Sequence, residues 1–131
     1  MTGFLDTNIL VHAFVRGDRQ APSRALLCAG GIVGVQSLNE FALAARRRLG
    51  LAWPAVHAAL AFIRQRCPKP VPLTLGVHLE GLRLAERYQL QIYDSMLLAA
   101  AREARGTVFW SEDLQDGLVI DGRLTVRNPF A

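Results

Sequence analysis

Four short apolar runs, each closing on or leading quickly to an acid, set the architecture open to this chain. Gly3-Phe4-Leu5 stops at Asp6, Gly31 to Val35 leads to Glu40, Ile92-Tyr93 meets Asp94, and Thr107 to Trp110 precedes Asp113. Segments of helical periodicity lie between the runs. Thr7 to Phe14 reads as a helix, and Pro22 to Cys28 as another with proline in its first turn. Ser37-Leu38-Asn39-Glu40 opens a third, reaching about Arg48, and Pro54 starts a fourth through Val56, Leu60 and Ile63. The prolines of Cys67 to Pro72 forbid helix and predict a stiff connector. Thr74 to Tyr88 is helical, with Leu75, Leu79, Leu82 and Ala85 on one face. Asp94 to Ala104 is a strongly apolar helix ended by Gly106. Thr107 to Trp110 is a strand of β-branched and aromatic residues, and Leu118 to Val126 predicts a hairpin about Asp121-Gly122. Strands alternating with helices of these lengths specify an α/β domain with a mostly parallel sheet.

The 131 residues suit one domain spanning 1–131, and a 51% hydrophobic content suffices for one core. Neither disorder nor a repeat is indicated. The net charge is +4, and Lys69 is the only lysine, so the positive charge is almost all arginine. Planar guanidinium forks suit phosphates and carboxylates. Cys28 and Cys67 form no CxxC pair, which argues against a disulfide framework or zinc site and fits a reducing cytoplasm. Acidic Asp6 interrupts the first apolar run with no basic segment before it, so no signal peptide is expected. Leu51 to Ile63 is too short to span a bilayer, so no membrane association is expected.

In open α/β sheets, ligands bind beyond the carboxyl ends of the strands. Asp6, Glu40, Asp94 and Asp113 fall at or just after such ends. A basic chain has thus gathered four of its eleven acids on one rim. Like charges so gathered raise one another's pKa, and a divalent cation with oxygen ligands is the simplest compensation. Each acid also has a structural explanation. Asp6 and Asp94 suit helix N-caps, Glu40 completes a capping box with Ser37, and Asp113 suits a first turn after Ser111. Asp94 shares its helical face with Leu97, Leu98 and Ala101, which directs its carboxylate inward.

At motif level, Phe4-Leu5-Asp6-Thr7-Asn8-Ile9-Leu10 resembles the opening motif of PIN-domain nucleases. Ser37-Leu38-Asn39-Glu40-Phe41 resembles their second acidic motif, Ile92-Tyr93-Asp94 to Ala101 the third, and Trp110-Ser111-Glu112-Asp113 to Gly117 the fourth. Val126-Arg127-Asn128-Pro129-Phe130 looks like the common C-terminal end. The order is preserved over essentially the whole chain, whose length resembles the VapC toxins of toxin–antitoxin pairs.

The resemblance implies a three-layer α/β/α sandwich, a homodimer, a VapB-type antitoxin partner, Mg²⁺ or Mn²⁺, and endonucleolytic cleavage of RNA, often tRNA or ribosomal RNA. It assigns catalysis and metal binding to Asp6, Glu40, Asp94 and Asp113. Asp116 is a further metal candidate, although a turn residue before Gly117 is the preferred reading. Thr7, Asn8 and Ser111 would orient carboxylates or water, and Glu112 is expected to face solvent.

Arg46, Arg47 and Arg48, at the end of the Glu40 helix, are candidates for RNA phosphate contact, as are Arg64, Arg66 and Lys69. Equally, they suit solvated helix ends. His12, His57 and His78 lack metal-ligand spacing. Trp53, Phe62 and Trp110 read as core rather than base-stacking platforms. The apolar helices at Trp53 to Ile63 and Leu75 to Leu84 would supply core, a dimer face or an antitoxin groove. Competing readings are a non-catalytic RNA- or partner-binding protein of this fold, a DNase of this fold, and a haloacid-dehalogenase-like phosphatase with Asp6 as nucleophile. The last normally has a second Asp where Asn8 stands.

Overall fold

The computed structural model describes residues 3–131. Strand β1 (Gly3–Leu5) enters helix α1 (Thr7–His12), followed by α2 (Gln20–Cys28), α3 (Val35–Arg47), α4 (Trp53–Arg66), α5 (Leu75–Tyr88) and α6 (Ile92–Glu103). The chain closes with β2 (Val108–Trp110), β3 (Val119–Ile120) and β4 (Leu124–Arg127). The sheet order is β1-β2-β4-β3. β1 and β4 both pair with β2 in parallel, so their carboxyl ends share one edge, while β3 runs antiparallel to β4. Asp121 and Gly122 turn the predicted hairpin, both at positive φ (50° and 70°), as a tight turn of this kind demands.

Side-chain alternation along β1 builds the sandwich. Phe4 faces a cluster with Leu84 of α5, Leu97 and Leu98 of α6, Phe109 and Val126. Leu5 faces the opposite cluster, with Ile9, Phe41, Val56 and Ile63 from α1, α3 and α4. Helices therefore cover both faces of a mostly parallel sheet. Phe4 and Phe109 are partners in register and stack with centroids 5.2 Å apart. Each such buried side chain contributes about 1.5–3 kcal/mol of apolar transfer free energy. Cys28 and Cys67 are both free, and no helix among the described residues is long and apolar enough to cross a membrane.

Three local expectations need correction. Gly31 to Val35 is not a regular strand: only isolated parallel bridges form, Ile32 with Phe4 and Gly34 with Val71. The helix bearing Glu40 starts at Val35, a turn's fraction earlier than expected. Ser37 accordingly does not cap it through Glu40; its Oγ accepts the Gly34 N–H at 3.1 Å, leaving the Glu40 carboxylate available.

The third correction concerns Ile92-Tyr93, which opens α6 instead of ending a strand before Asp94. On α5, whose apolar face the sequence leaves open between core and interface, the leucines point outward. Leu75 and Leu79 are 72% and 57% exposed, while Val77, Gly81 and Leu84 are buried. The small residue decides this. A Cβ at Gly81 would lie 2.5 Å from Met96 Sδ and 3.2 Å from its Cα, so any larger residue would force Met96 to shift and loosen this approach of α5 to α6.

Candidate active site

The parallel pairing of β1 with β2 brings Asp6 and the Ser111–Asp113 segment together at the sheet's carboxyl edge, where Asp6 N–H donates to the Trp110 carbonyl at 3.0 Å. α3 and α6 deliver the other two acids from either side. Asp6, Glu40, Asp94 and Asp113 all line one cavity of about 370 Å³, with Thr7, Asn8, Leu43, Arg47 and Arg48.

Asp6 is the buried member, at 4% exposure. It caps α1 by accepting the Thr7 N–H at 2.7 Å, and its other oxygen accepts the Ser111 hydroxyl at 2.7 Å. Burial pushes its pKa up to about 7. The Ser111 and Thr7 bonds oppose that rise, and the Asp94 and Asp113 charges add to it. Half-buried Asp94 is raised too, first by desolvation and then by Asp113 and Glu40. It lies inside the first turn of α6, whose N-cap is Gln91, so capping does not explain it. Desolvation leads both shifts, and repulsion among the clustered acids adds to it.

Polar neighbours aim the acids. Thr7 Oγ1 donates to Glu40 Oε1 at 3.0 Å and Gln36 Nε2 to Glu40 Oε2 at 3.1 Å. Asn8 Nδ2 donates to Asp113 Oδ2 at 2.8 Å and reaches Asp6 Oδ2 at 3.5 Å. Ser111 Oγ, besides donating to Asp6, accepts the Asp113 N–H at 3.1 Å. Thr7, Asn8 and Ser111 thus each hydrogen-bond at least one of these carboxylates.

Three residues lie elsewhere or behave otherwise. Asp116 does not line the cavity; its carboxylate accepts the Asn128 N–H at 2.9 Å beside Gly117, as a turn residue would. Arg46 turns away from the cavity to the Leu51 carbonyl and the Trp53 ring, leaving Arg47 and Arg48 on the cavity wall. Glu112, expected to face solvent, is held by His12 and by Arg19 Nε at 2.9 Å. Arg19 also lies over the Phe130 ring, which His12 meets edge-on. The loop between Ser111 and Asp113 is thereby tied to α1, the start of α2 and the C-terminal segment. Sequence spacing gives no signal of this, because the partners lie about 100 positions apart. Lys69, the only lysine of the chain, does not line the cavity.

Among the described residues, no group of three or more His, Cys, Asp or Glu forms a ready-made cation cage. The donor set nonetheless fits a hard divalent ion: four carboxylates facing one cavity, two with their protons held more tightly by burial and mutual charge. Asn8 Oδ1, buried beside them, has no hydrogen-bond partner among the described residues. An acceptor so placed is costly unless a cation or water meets it.

The four carboxylates thus meet in one cavity at the carboxyl edge of the parallel strands of an α/β/α sandwich. The PIN domain family model matches residues 3–115, and the chain belongs to that family. Solved structures share its fold. A toxin–antitoxin complex from Klebsiella pneumoniae superposes with TM-score 0.73 at 18% identity, covering 98% of each chain. VapC20 of Mycobacterium tuberculosis, described as a sarcin–ricin loop cleaving toxin, gives 0.69 at 20% identity over 86% of this chain and 92% of that one. VapBC2 of Rickettsia felis, bound to a DNA fragment from its promoter, gives 0.68 at 17% identity over 98% of each. No curated protein matches the chain in sequence.

Proposed function

We propose that the chain is a divalent-cation-dependent endoribonuclease and the toxin of a toxin–antitoxin pair. The observation that carries this reading is the convergence of Asp6, Glu40, Asp94 and Asp113 on one cavity whose wall includes Arg47 and Arg48. The fold likeness to toxins and toxin–antitoxin complexes, one described as a sarcin–ricin loop cleaving toxin, supports it.

Asp6, Glu40, Asp94 and Asp113 would together hold Mg²⁺ or Mn²⁺ in the cavity they line. The bound cation supplies a lowered water pKa and relief of phosphate charge. The chain's own residues do the rest. Ser111 and the Thr7 N–H keep Asp6 turned into the cavity. Thr7 and Gln36 fix Glu40 so that it can accept a proton from an attacking water. Arg47 and Arg48 draw the RNA backbone to a site whose acids would otherwise repel it. A 5′-phosphate and a 3′-hydroxyl are the products this reading expects, with tRNA or ribosomal RNA as substrate and the cytoplasm as the place of action.

A VapB-type antitoxin helix suits the apolar trough of about 430 Å³ lined by Phe14, Leu51, Ala55, Ala58 and Phe62. The exposed Leu75, Leu79 and Leu82 of α5 form a stripe suited to a homodimer face. The test is cleavage of RNA and DNA oligonucleotides in parallel by purified protein with Mn²⁺. Wild type should cut RNA, and Asp94→Asn should cut neither while keeping its circular-dichroism spectrum. Full RNase activity in that variant sinks the assignment.

A further inference from the structure

A second concavity of about 510 Å³ adjoins the acidic one, lined by Asn39, Ala42, Leu43, Arg46, Arg47 and Trp53. The two share Leu43 and Arg47. The sharing follows from helical spacing on α3. Glu40, Leu43, Ala44 and Arg47 face the acids, Asn39, Ala42, Leu43 and Arg46 face the neighbouring trough, and Leu43 and Arg47 sit on the boundary. Trp53 stands at the first position of α4, before Pro54, and remains 55% exposed. Its sequence reading as core is therefore wrong. Arg46 lies 4.6 Å from the indole centroid and is pinned there by its 2.9 Å bond to the Leu51 carbonyl. Asn39 is exposed and makes no hydrogen bond through its side chain among the described residues.

Taking the nuclease reading as its premise, we infer that this trough binds an unpaired nucleobase of the RNA flanking the phosphate held in the acidic cavity, with Trp53 and Arg46 as stacking partners. An indole and a guanidinium are the side-chain planes on which splayed-out bases stack. The Asn39 amide offers a donor and an acceptor to a base edge. The volume is in the range of small-molecule clefts.

Charge selects RNA over other occupants. Every ionised side chain lining the trough is an arginine, and Arg47 joins it to the cavity where the phosphate belongs. A second copy of the chain pairing here through a two-fold axis would set Arg46 and Arg47 against their own counterparts. A polyanion brings the opposite charge.

The test uses the Asp94→Asn protein, which keeps the trough and prevents cleavage. Two fluorescein-labelled decamers are titrated by anisotropy: alternating cytidine–adenosine RNA, and an abasic ribose-phosphate chain of equal charge. Trp53→Ala should weaken binding of the base-bearing decamer about tenfold, within the range known for stacking on an aromatic. It should leave the abasic decamer unchanged, and Trp53→Phe should restore most of the loss.

Equal weakening of both decamers, or of neither, overturns the inference. So does sedimentation showing that Trp53→Ala dissociates a dimer, which would give the trough to self-association. Wild-type cleavage with Mn²⁺ is scored separately. RNA cut normally while bases add nothing to binding condemns the trough alone; no cleavage and no binding of either decamer condemns both.

Discussion

Asp6→Asn should make the metal-free protein progressively more stable than wild type as the pH rises. Asp6 titrates at about 7 in the fold against 3.8 for an ordinary Asp, chiefly because burial penalises its charge. A group whose folded pKa is raised gives stability that is complete below the unfolded pKa and is lost as pH rises through the folded one. Integrating proton linkage between pH 5 and 8 gives a wild-type loss of about 2–3 kcal/mol from this group. The substituted amide would carry no such dependence and would keep an oxygen for the Thr7 N–H and an NH₂ for Ser111. Its own packing cost is independent of pH, so the quantity to read is the change in the difference. Urea unfolding of both proteins at several pH values, with chelator present, supplies it. A difference that stays constant from pH 5 to 8, or moves in favour of wild type, refutes the argument that desolvation dominates this carboxyl.

Glu112→Ala should lower stability by about 1–2 kcal/mol in urea, having removed the acceptor of His12 and Arg19. It should also slow RNA cleavage, because the loop holding Ser111 and Asp113 loses its tie; unchanged stability and rate would show the tie to be idle. Asp121 accepts bonds from Arg83, Arg102 and Tyr88, which clamp the β3–β4 turn onto α5 and α6. The Arg83 bond above all holds its pKa down at about 2. Because a depressed pKa gives stability above the unfolded value, Asp121→Asn should cost about 1 kcal/mol at neutral pH after discount for partial exposure. That cost should shrink as the pH falls from about 4 towards 2, in thermal melts read by circular dichroism.

Asp6 and Asp113 are legible because each follows an apolar run that does form a parallel strand; Glu40 and Asp94 reach the same cavity from helices α3 and α6, since the runs before them form only isolated bridges and the first turn of α6. Asp94 is legible as inward-facing, since Leu97, Leu98 and Ala101 repeat on its side of α6. The inward face of α5 is not. Leu75, Leu79 and Leu82 form one apolar stripe and Val77, Gly81 and Leu84 another, and only the close contact at Met96 chooses between them. Ser37 misleads because a serine followed three residues later by Glu resembles a capping box; it instead caps from the third helical position back to Gly34. The His12–Glu112–Arg19 tie and the exposure of Trp53 depend on contacts between distant segments, for which a single sequence carries no periodic trace.

Mn²⁺ titrated into wild type and Asp94→Asn, followed by electron paramagnetic resonance of the free ion, tests most directly whether the clustered acids act together as oxygen donors. Wild type should take up Mn²⁺ at a saturable site whose affinity rises as Asp6 loses its proton towards pH 7, and Asp94→Asn should lose that site. Uptake that is absent in wild type, or identical in the two proteins, would contradict the account.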